Sequence, residues 1–263
     1  MIDRITNGLT IKSKTCLTMP CVLVMVPYTR IKLLGVFMEL SDVMRSQPAN
    51  RYYKSDPVPD EIIYKAVDDA RFGPQGGNRQ PVRFVVVTDP AKKKALGDLY
   101  IIPWTAYSNA AKEGQDMIEA SDGTEKSTNL GMSNPAKALA DADHFAAHFG
   151  EHPAIVVVCA DIAETHPTDT ELGRLSIVGG GSVYPIAQNF CLALRNQGVA
   201  TTFTTLLCMF EPQVKEILGI PEQWATACHI VVGYPEKPFP TKLFRLPVES
   251  MAYSNTWGDP IKK

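Results

Sequence analysis

Apolar positions along this chain recur with two periods, and the alternation between them outlines a mixed fold. A short helix is expected over 39–44, capped near Ser41. A second opens at Asp60 as N-cap, with Ile62, Ile63, Ala66, Val67 and Ala70 at helical spacing. The turn Gly73-Pro74-Gln75-Gly76-Gly77-Asn78 follows, and the β-branched run over 83–88 reads as a strand stopped by Asp89-Pro90. Positions 91–100 are helical. From Trp104 to about 149 the chain is polar, alanine-rich and mostly helical, with a loop around 122–134. A buried strand is expected over 154–160. The segment 183–197 reads as a long helix with Val183, Ile186, Phe190, Leu192 and Leu194 on several faces, hence buried on more than one side. A threonine-rich strand or loop over 199–207 leads to a short helix over 212–218. A strand over 227–232 closes on Gly233-Tyr234-Pro235. Strands alternating with helices imply α/β or α+β with a buried sheet.

The composition fits a globular enzyme-like protein. The 263 residues are 45% hydrophobic and 21% charged, which excludes a disordered or fibrous chain. With 26 basic and 28 acidic side chains there is no electrostatic footprint for nucleic acid, so a small ligand is the better expectation. Cys159, Cys191 and Cys208 sit in apolar runs and no C-x-x-C pair occurs, which fits reduced, buried thiols in a reducing, cytoplasmic compartment. The first 37 residues stand apart: five basic residues against Asp3 alone give them a net charge of +4. Their apolar run over 16–27 is too short to span a membrane and is interrupted by Pro20. Residues 1–37 therefore read as an extension, either an upstream-placed start with Met38 as the true beginning, an unstructured or partner-binding arm, or a targeting segment. Residues 38–263 read as the functional domain.

Common nucleotide motifs are absent. No G-x-G-x-x-G follows the first strand, no P-loop occurs, and Gly179-Gly180-Gly181 lacks the fingerprint. His144 and His148 are spaced i, i+4 with Asp141 before them. No Glu follows His144 as in H-E-x-x-H, and Gly150 should end the helix before His152, so no metal is expected.

Two segments carry a resemblance. Arg51-Tyr52-Tyr53 with Asp56-Pro57-Val58-Pro59-Asp60-Glu61, and then Gly76-Gly77-Asn78-Arg79-Gln80-Pro81 leading into the first strand, resemble the opening of the nitroreductase family of FMN-dependent oxidoreductases. Gly198 through Leu206, Leu218-Gly219-Ile220-Pro221, Val232-Gly233-Tyr234-Pro235 and Arg245-Leu246-Pro247 resemble its C-terminal half, in the same order.

The resemblance implies a site. Arg51 and Arg245 fall where the family holds the FMN phosphate, and guanidinium forks suit a dianion. The family's arginine-x-serine-x-arginine motif reads Gln47-Pro48-Ala49-Asn50-Arg51 here, so Gln47 and Ala49 replace an arginine and a serine, and Arg45 could compensate. Asn78 and Gln80 suit the flavin's pyrimidine edge because an amide both donates and accepts; a turn asparagine and a capping glutamine would read the same. Gly76 and Gly77 allow close backbone approach, while Gln75 stands where the family often has serine. Phe203, Thr204 and Thr205 occupy the loop beside flavin N5, although threonine is also an ordinary strand residue. Trp104 and Tyr107 begin the segment that shapes the family's substrate pocket, with core packing as the competing role.

The implied fold is α+β: a central, mainly antiparallel sheet flanked by helices, in a homodimer with FMN at the subunit interface. The implied reaction is ping-pong transfer from NAD(P)H through FMN to an electron-poor acceptor (nitroaromatic, quinone, enone or halogenated aromatic). The flavin carries the chemistry, so no side-chain acid or base is invoked. The alternatives are a flavin-binding protein without turnover and a flavin-cleaving relative.

Overall fold

The computed structural model describes residues 38–113 and 134–262, all within the compact unit Gly35–Lys263. Expectations for 1–37, and for most of the loop around 122–134, lie outside the described residues.

Four strands form one sheet: β1 (Val82–Val87), β2 (Ala154–Asp161), β3 (Ala200–Thr204) and β4 (Trp224–Gly233). Their order is β1-β2-β4-β3 and every neighbouring pair is antiparallel. Strand β2 lies second in the sheet and is buried over Ala154–Ala160, as a continuous β-branched run demands. Its side chains alternate between two cores. Ala154, Val156, Val158 and Ala160 face one cluster, and Ile155, Val157 and Cys159 face the other.

Helices cover both faces. The first core holds α2 (Asp60–Ala70), which contributes Ile63, Ala66 and Ala70, and α5 (Tyr184–Asn196). The second holds α3 (Pro90–Lys112), α4 (Pro135–Ala147) and α6 (Glu211–Leu218), through residues such as Leu96, Phe145 and Val214. Helix α1 (Leu40–Ser46) begins the described chain and touches α5. The architecture is α+β with an antiparallel sheet, as the resemblance implies.

Several local expectations are corrected. Helix α1 is not capped by Ser41: Glu39 is its N-cap, and Ser41 Oγ accepts from Arg45 Nε at 3.0 Å one turn on. Asp60 is the first helical residue of α2 rather than its cap, where its carboxylate complements the helix dipole. The stretches read as helix over 91–100 and from Trp104 are one helix that runs through Pro103. Its start is fixed by Asp89, whose side chain accepts from Lys92 N at 2.8 Å, with Pro90 at the first turn. Helix α5 buries Ile186, Ala187, Phe190, Cys191, Leu194 and Arg195, which form one stripe rather than several faces; Leu192 is half-buried. Cys159, Cys191 and Cys228 are free and buried.

Candidate functional site

The segment after α1 runs along the β3 edge of the sheet. Asn50 N donates to Thr201 O at 3.1 Å, and Thr202 Oγ1 donates to Asn50 O. Further on, Lys54 N donates to Tyr234 O and Glu236 N to Tyr52 O. These bonds fix the backbone that carries Gln47, Pro48, Ala49 and Arg51. Gln47 donates through Nε2 to Thr201 Oγ1 and to Pro48 O, while its Oε1 is buried with no hydrogen-bond partner. The Pro48 carbonyl fixes the amide in this orientation, so the unpartnered end is an acceptor. Arg51 is half-buried with its guanidinium 5.1 Å from the Phe145 ring centroid.

The C-terminal segment returns to the same place. Leu243 N donates to Arg45 O at 2.9 Å, which sets Arg245 two residues from the α1 terminus. Arg245 is exposed and donates to its neighbour's carbonyl, Phe244 O, at 2.6 Å. None of Arg45, Arg51 and Arg245 forms an ion pair with a carboxylate among the described residues. The segments that carry Arg45, Arg51 and Arg245 thus meet near one end of β3, and none of the three has an acidic partner among the described residues.

Thr204 ends β3. Its Oγ1 accepts from Leu206 N at 3.3 Å and lies 3.4 Å from the Tyr100 hydroxyl. Tyr100 is buried, and desolvation raises its pKa, so it stays protonated. Thr205 is exposed, and the Phe203 ring lies 6.1 Å from that of Tyr184.

The glycine turn lies elsewhere. Gly76–Asn78 form a single 3₁₀ turn, pinned by Gly76 N donating to Ser182 Oγ at 3.0 Å. Gly77, Asn78 and Gln80 have φ of 59°, 52° and 56°. Two non-glycine residues in the left-handed region within three positions is local strain of the kind found at binding sites. Asn78 and Gln80 are exposed, and Gln80 Nε2 reaches Asn78 Oδ1 at 3.4 Å. The Gln75 amide turns back onto α2, donating to Arg71 O at 3.2 Å. Beside this turn a groove of about 600 Å³ opens between α2 and β1, lined by Tyr64, Gln75, Gln80, Phe84 and Ile186.

These two groups of residues occupy diagonal corners of the sheet. The turn feeds β1, whereas Gln47 and Asn50 border β3, three interstrand spacings away, roughly 14 Å. Val82 aligns with Ala160 and Ala225, but Thr201 aligns with Val232, which adds roughly 20 Å along the strands. One chain therefore brings together Arg45, Gln47, Arg51 and the Arg245 segment, with Thr204 along the same edge. It does not bring Gln75, Gly76, Gly77, Asn78 or Gln80 to them.

Trp104 and Tyr107 differ in setting. Trp104 packs against the second core, and its Nε1 donates to Asp143 Oδ1 at 2.8 Å, bolting α3 to α4. Ser108 Oγ and Lys112 Nζ bind the same carboxylate at 2.6 and 3.1 Å. Tyr107 is exposed, with its ring 5.4 Å from that of Trp104. His144 stacks on Tyr52 at 4.7 Å, and His148 Nδ1 lies 2.7 Å from His144 O. Among the described residues no three His, Cys, Asp or Glu side chains are grouped to hold a metal, and no helix is long and apolar enough to cross a membrane.

Sequence reading missed Ser182, Tyr100 and Arg195. Only Arg195 left a signal: it is the one charged residue on an otherwise apolar helical stripe.

Comparison with known proteins agrees with this architecture. The profile of the Nitroreductase family matches residues 45–234. A Thermus thermophilus protein named NADH dehydrogenase is 27% identical over 76% of this chain and 87% of its own length. A 5,6-dimethylbenzimidazole synthase from Rhodospirillum rubrum is 24% identical over 72% of this chain and 79% of its own. Among solved structures, oxidised iodotyrosine deiodinase bound to FMN and 3-iodo-L-tyrosine shares the fold with a TM-score of 0.59. Its identity is 19%, over 83% of this chain and all of that one. With a family match that spans most of the chain, enters two residues before Gln47 and ends at Tyr234, this chain belongs to the nitroreductase family.

Proposed function

We propose that two copies of this chain hold FMN in two sites at their interface and pass electrons from NAD(P)H to an electron-poor small molecule. Family membership supports an oxidoreductase in general. The observation that carries the finer reading is the separation of the two residue groups onto opposite corners of the sheet. The arginine-rich group suits a phosphate and the strained amide turn suits a polar ring edge, and only a second chain can supply one to the other.

The residues present fit the cofactor. Arg45, Arg51 and Arg245, lacking carboxylate partners among the described residues, are free to neutralise a dianionic phosphate. The unpartnered end of Gln47 stands in a buried position where a ligand can complete its hydrogen bonding. Pro48 and Ala49 carry the backbone past that point. Left-handed Gly77, Asn78 and Gln80 turn backbone and amides outward from the partner copy. When bound, FMN supplies reversible electron storage between the nicotinamide and the acceptor.

The protein orients and screens. Thr204 Oγ1 accepts from Leu206 N; where the Tyr100 hydroxyl donates as well, the Thr204 proton is left to give and would be available to a bound flavin. Phe203 and Thr205 flank it, and exposed Tyr107 is available to stack on an aromatic acceptor. Exposed Tyr64, Phe72, Leu175, Ile177, Phe244, Met251 and Trp257 are apolar side chains available to a dimer interface.

The test is optical. Purified protein should carry about one FMN per chain in a dimer, bleach under anaerobic NADPH or NADH, and recover colour when a quinone or nitroaromatic is added. Colour that persists under both donors would identify a flavin-binding protein without turnover, and absence of flavin binding would sink the proposal. Irreversible loss of flavin under reducing, aerobic conditions would identify flavin cleavage instead.

A further inference from the structure

Arg195 is only 7% exposed, yet no carboxylate among the described residues pairs with it. Its partners are neutral. Nε and Nη2 donate to Ser46 O and Ser46 Oγ at 3.2 and 2.9 Å, Nη1 lies 2.9 Å from Met38 Sδ, and the guanidinium sits 3.7 Å from the Phe239 ring centroid. Arginine stays protonated at neutral pH. A buried cation is costly unless opposite charge is near. This one ends the inward stripe of α5, where an apolar residue would have continued the core.

Its location shows where opposite charge would come from. Ser46 lies between Arg45 and Gln47, and Phe239 lies six residues before Arg245. The same guanidinium therefore grips both limbs that Leu243 N and Arg45 O join. The Ser46–Gln47 peptide is polarised by the same charge. Its carbonyl accepts from Arg195 Nε, so in a trans peptide the Gln47 N–H points the other way. As the last donor of α1, that N–H points back along the helix toward Val43 O, so Arg195 also steadies the end of α1. A peptide polarised at its carbonyl by a cation is a stronger donor at its N–H.

We infer that Arg195 is a positioning residue for the phosphate of the bound flavin: it clasps the 45–47 and 239–245 limbs together and returns the positive charge missing at Gln47. This rests on the reading above that the limbs hold an FMN phosphate. It assigns Arg195 no contact with the cofactor; the guanidinium acts by holding Ser46 and Phe239 in place and by its nearby charge.

The experiment compares FMN with riboflavin, which lacks the phosphate, by fluorescence titration of the full-length protein freed of flavin. Wild type should prefer FMN. Arg195→Met should lose tenfold or more of FMN affinity while riboflavin affinity stays within twofold, and Arg195→Lys should recover part of the loss. Arg195→Gln keeps donors for Ser46 but no charge, so it carries the test if the methionine variant does not fold; a drop of at least fivefold in the FMN-to-riboflavin ratio is expected. A folded neutral variant that keeps the wild-type ratio overturns the inference, whether its two affinities are unchanged or fall together. A wild type that binds both flavins equally overturns instead the reading of the limbs as a phosphate site.

Discussion

The Tyr100 hydroxyl lies 3.4 Å from Thr204 Oγ1, and Leu206 N occupies another side of the same oxygen at 3.3 Å. Either hydroxyl can donate in that pair; where Tyr100 is the donor, Thr204 accepts two bonds and has its single proton left to give. Tyr100→Phe removes one of those bonds, frees the Thr204 rotor and should slow flavin reduction by a factor of two to five, about 0.5–1 kcal/mol. Thr204→Val should slow it further, with FMN affinity unchanged in both. Stopped-flow reduction by NADPH reads the effect, and a Tyr100→Phe rate equal to wild type would detach Tyr100 from the site.

The elements that were legible in the sequence are those with an unbroken physical pattern. The β-branched runs of β1 and β2 and the apolar spacing of α2 each name their structure locally. Caps were less legible, because Ser41 and Asp60 have the right chemistry for a cap while the extended dihedrals that make one belong to Glu39 and Pro59. The helix read over 91–100 and the segment read from Trp104 are one helix, α3, because Pro103 is buried inside it and packing of Leu96 and Tyr100 on one side and Ser108 on the other outweighs a lost hydrogen bond. Candidate residues such as Asn78 and Arg245 could be named from sequence, but not their separation. Strand order sets that separation, and no local pattern encodes it.

Two buried histidines give the fold an acid-sensitive core. Burial, with His148, His144 and Lys93 nearby, lowers the His152 pKa to about 4; burial alone lowers that of His229 to about 3. Both are depressed below the unfolded value, so the unfolded chain binds more protons below pH 6.5, and stability falls with pH through that window. Each histidine should cost about 2 kcal/mol between pH 7 and pH 5. Neither ring nitrogen of His229 has a partner among the described residues. His229→Leu should therefore leave stability at pH 7 nearly unchanged and flatten its decline toward pH 5. Urea melts at the two pH values measure this, and an unaltered slope would show that His229 does not titrate on unfolding.

Trp104 and Tyr107 should separate into a stabilising and a substrate-facing residue. Trp104→Ala removes the bond to Asp143 and packing against the second core, so it should cost about 2–4 kcal/mol. Exposed Tyr107→Ala should change stability by no more than about 0.5 kcal/mol while shifting KM for an aromatic acceptor severalfold. Thermal melts beside acceptor kinetics decide the matter; a KM unmoved by Tyr107→Ala removes it from the pocket.

Arg245 should act through the phosphate alone. A charge-assisted hydrogen bond is worth about 1.5–3 kcal/mol, so Arg245→Ala should weaken FMN binding roughly ten- to a hundredfold and leave riboflavin unaffected. Arg245→Lys should restore only part, because a point charge lacks the guanidinium fork. Lys242→Ala is the control. If it weakens FMN and Arg245→Ala does not, the anchor lies three residues earlier than the family pattern places it.

The division of the site between corners of the sheet makes a prediction about mixtures. Arg245→Ala damages the group beside β3, and Asn78→Ala with Gln80→Ala damages the turn before β1. In a two-fold dimer built from one chain of each kind, one site receives both defects and the other receives none. If the two damaged proteins are unfolded together and refolded in equal amounts, half of the dimers should be mixed. Each mixed dimer has one intact site, so about a quarter of wild-type high-affinity FMN sites should reappear. Flavin fluorescence quenching counts them, and a mixture assembled without unfolding gives the baseline before exchange. If both groups served one flavin within a single chain, mixing would recover nothing. A quarter of the sites would show that the Gln47–Arg245 corner of one chain and the Asn78 corner of its partner close on one cofactor.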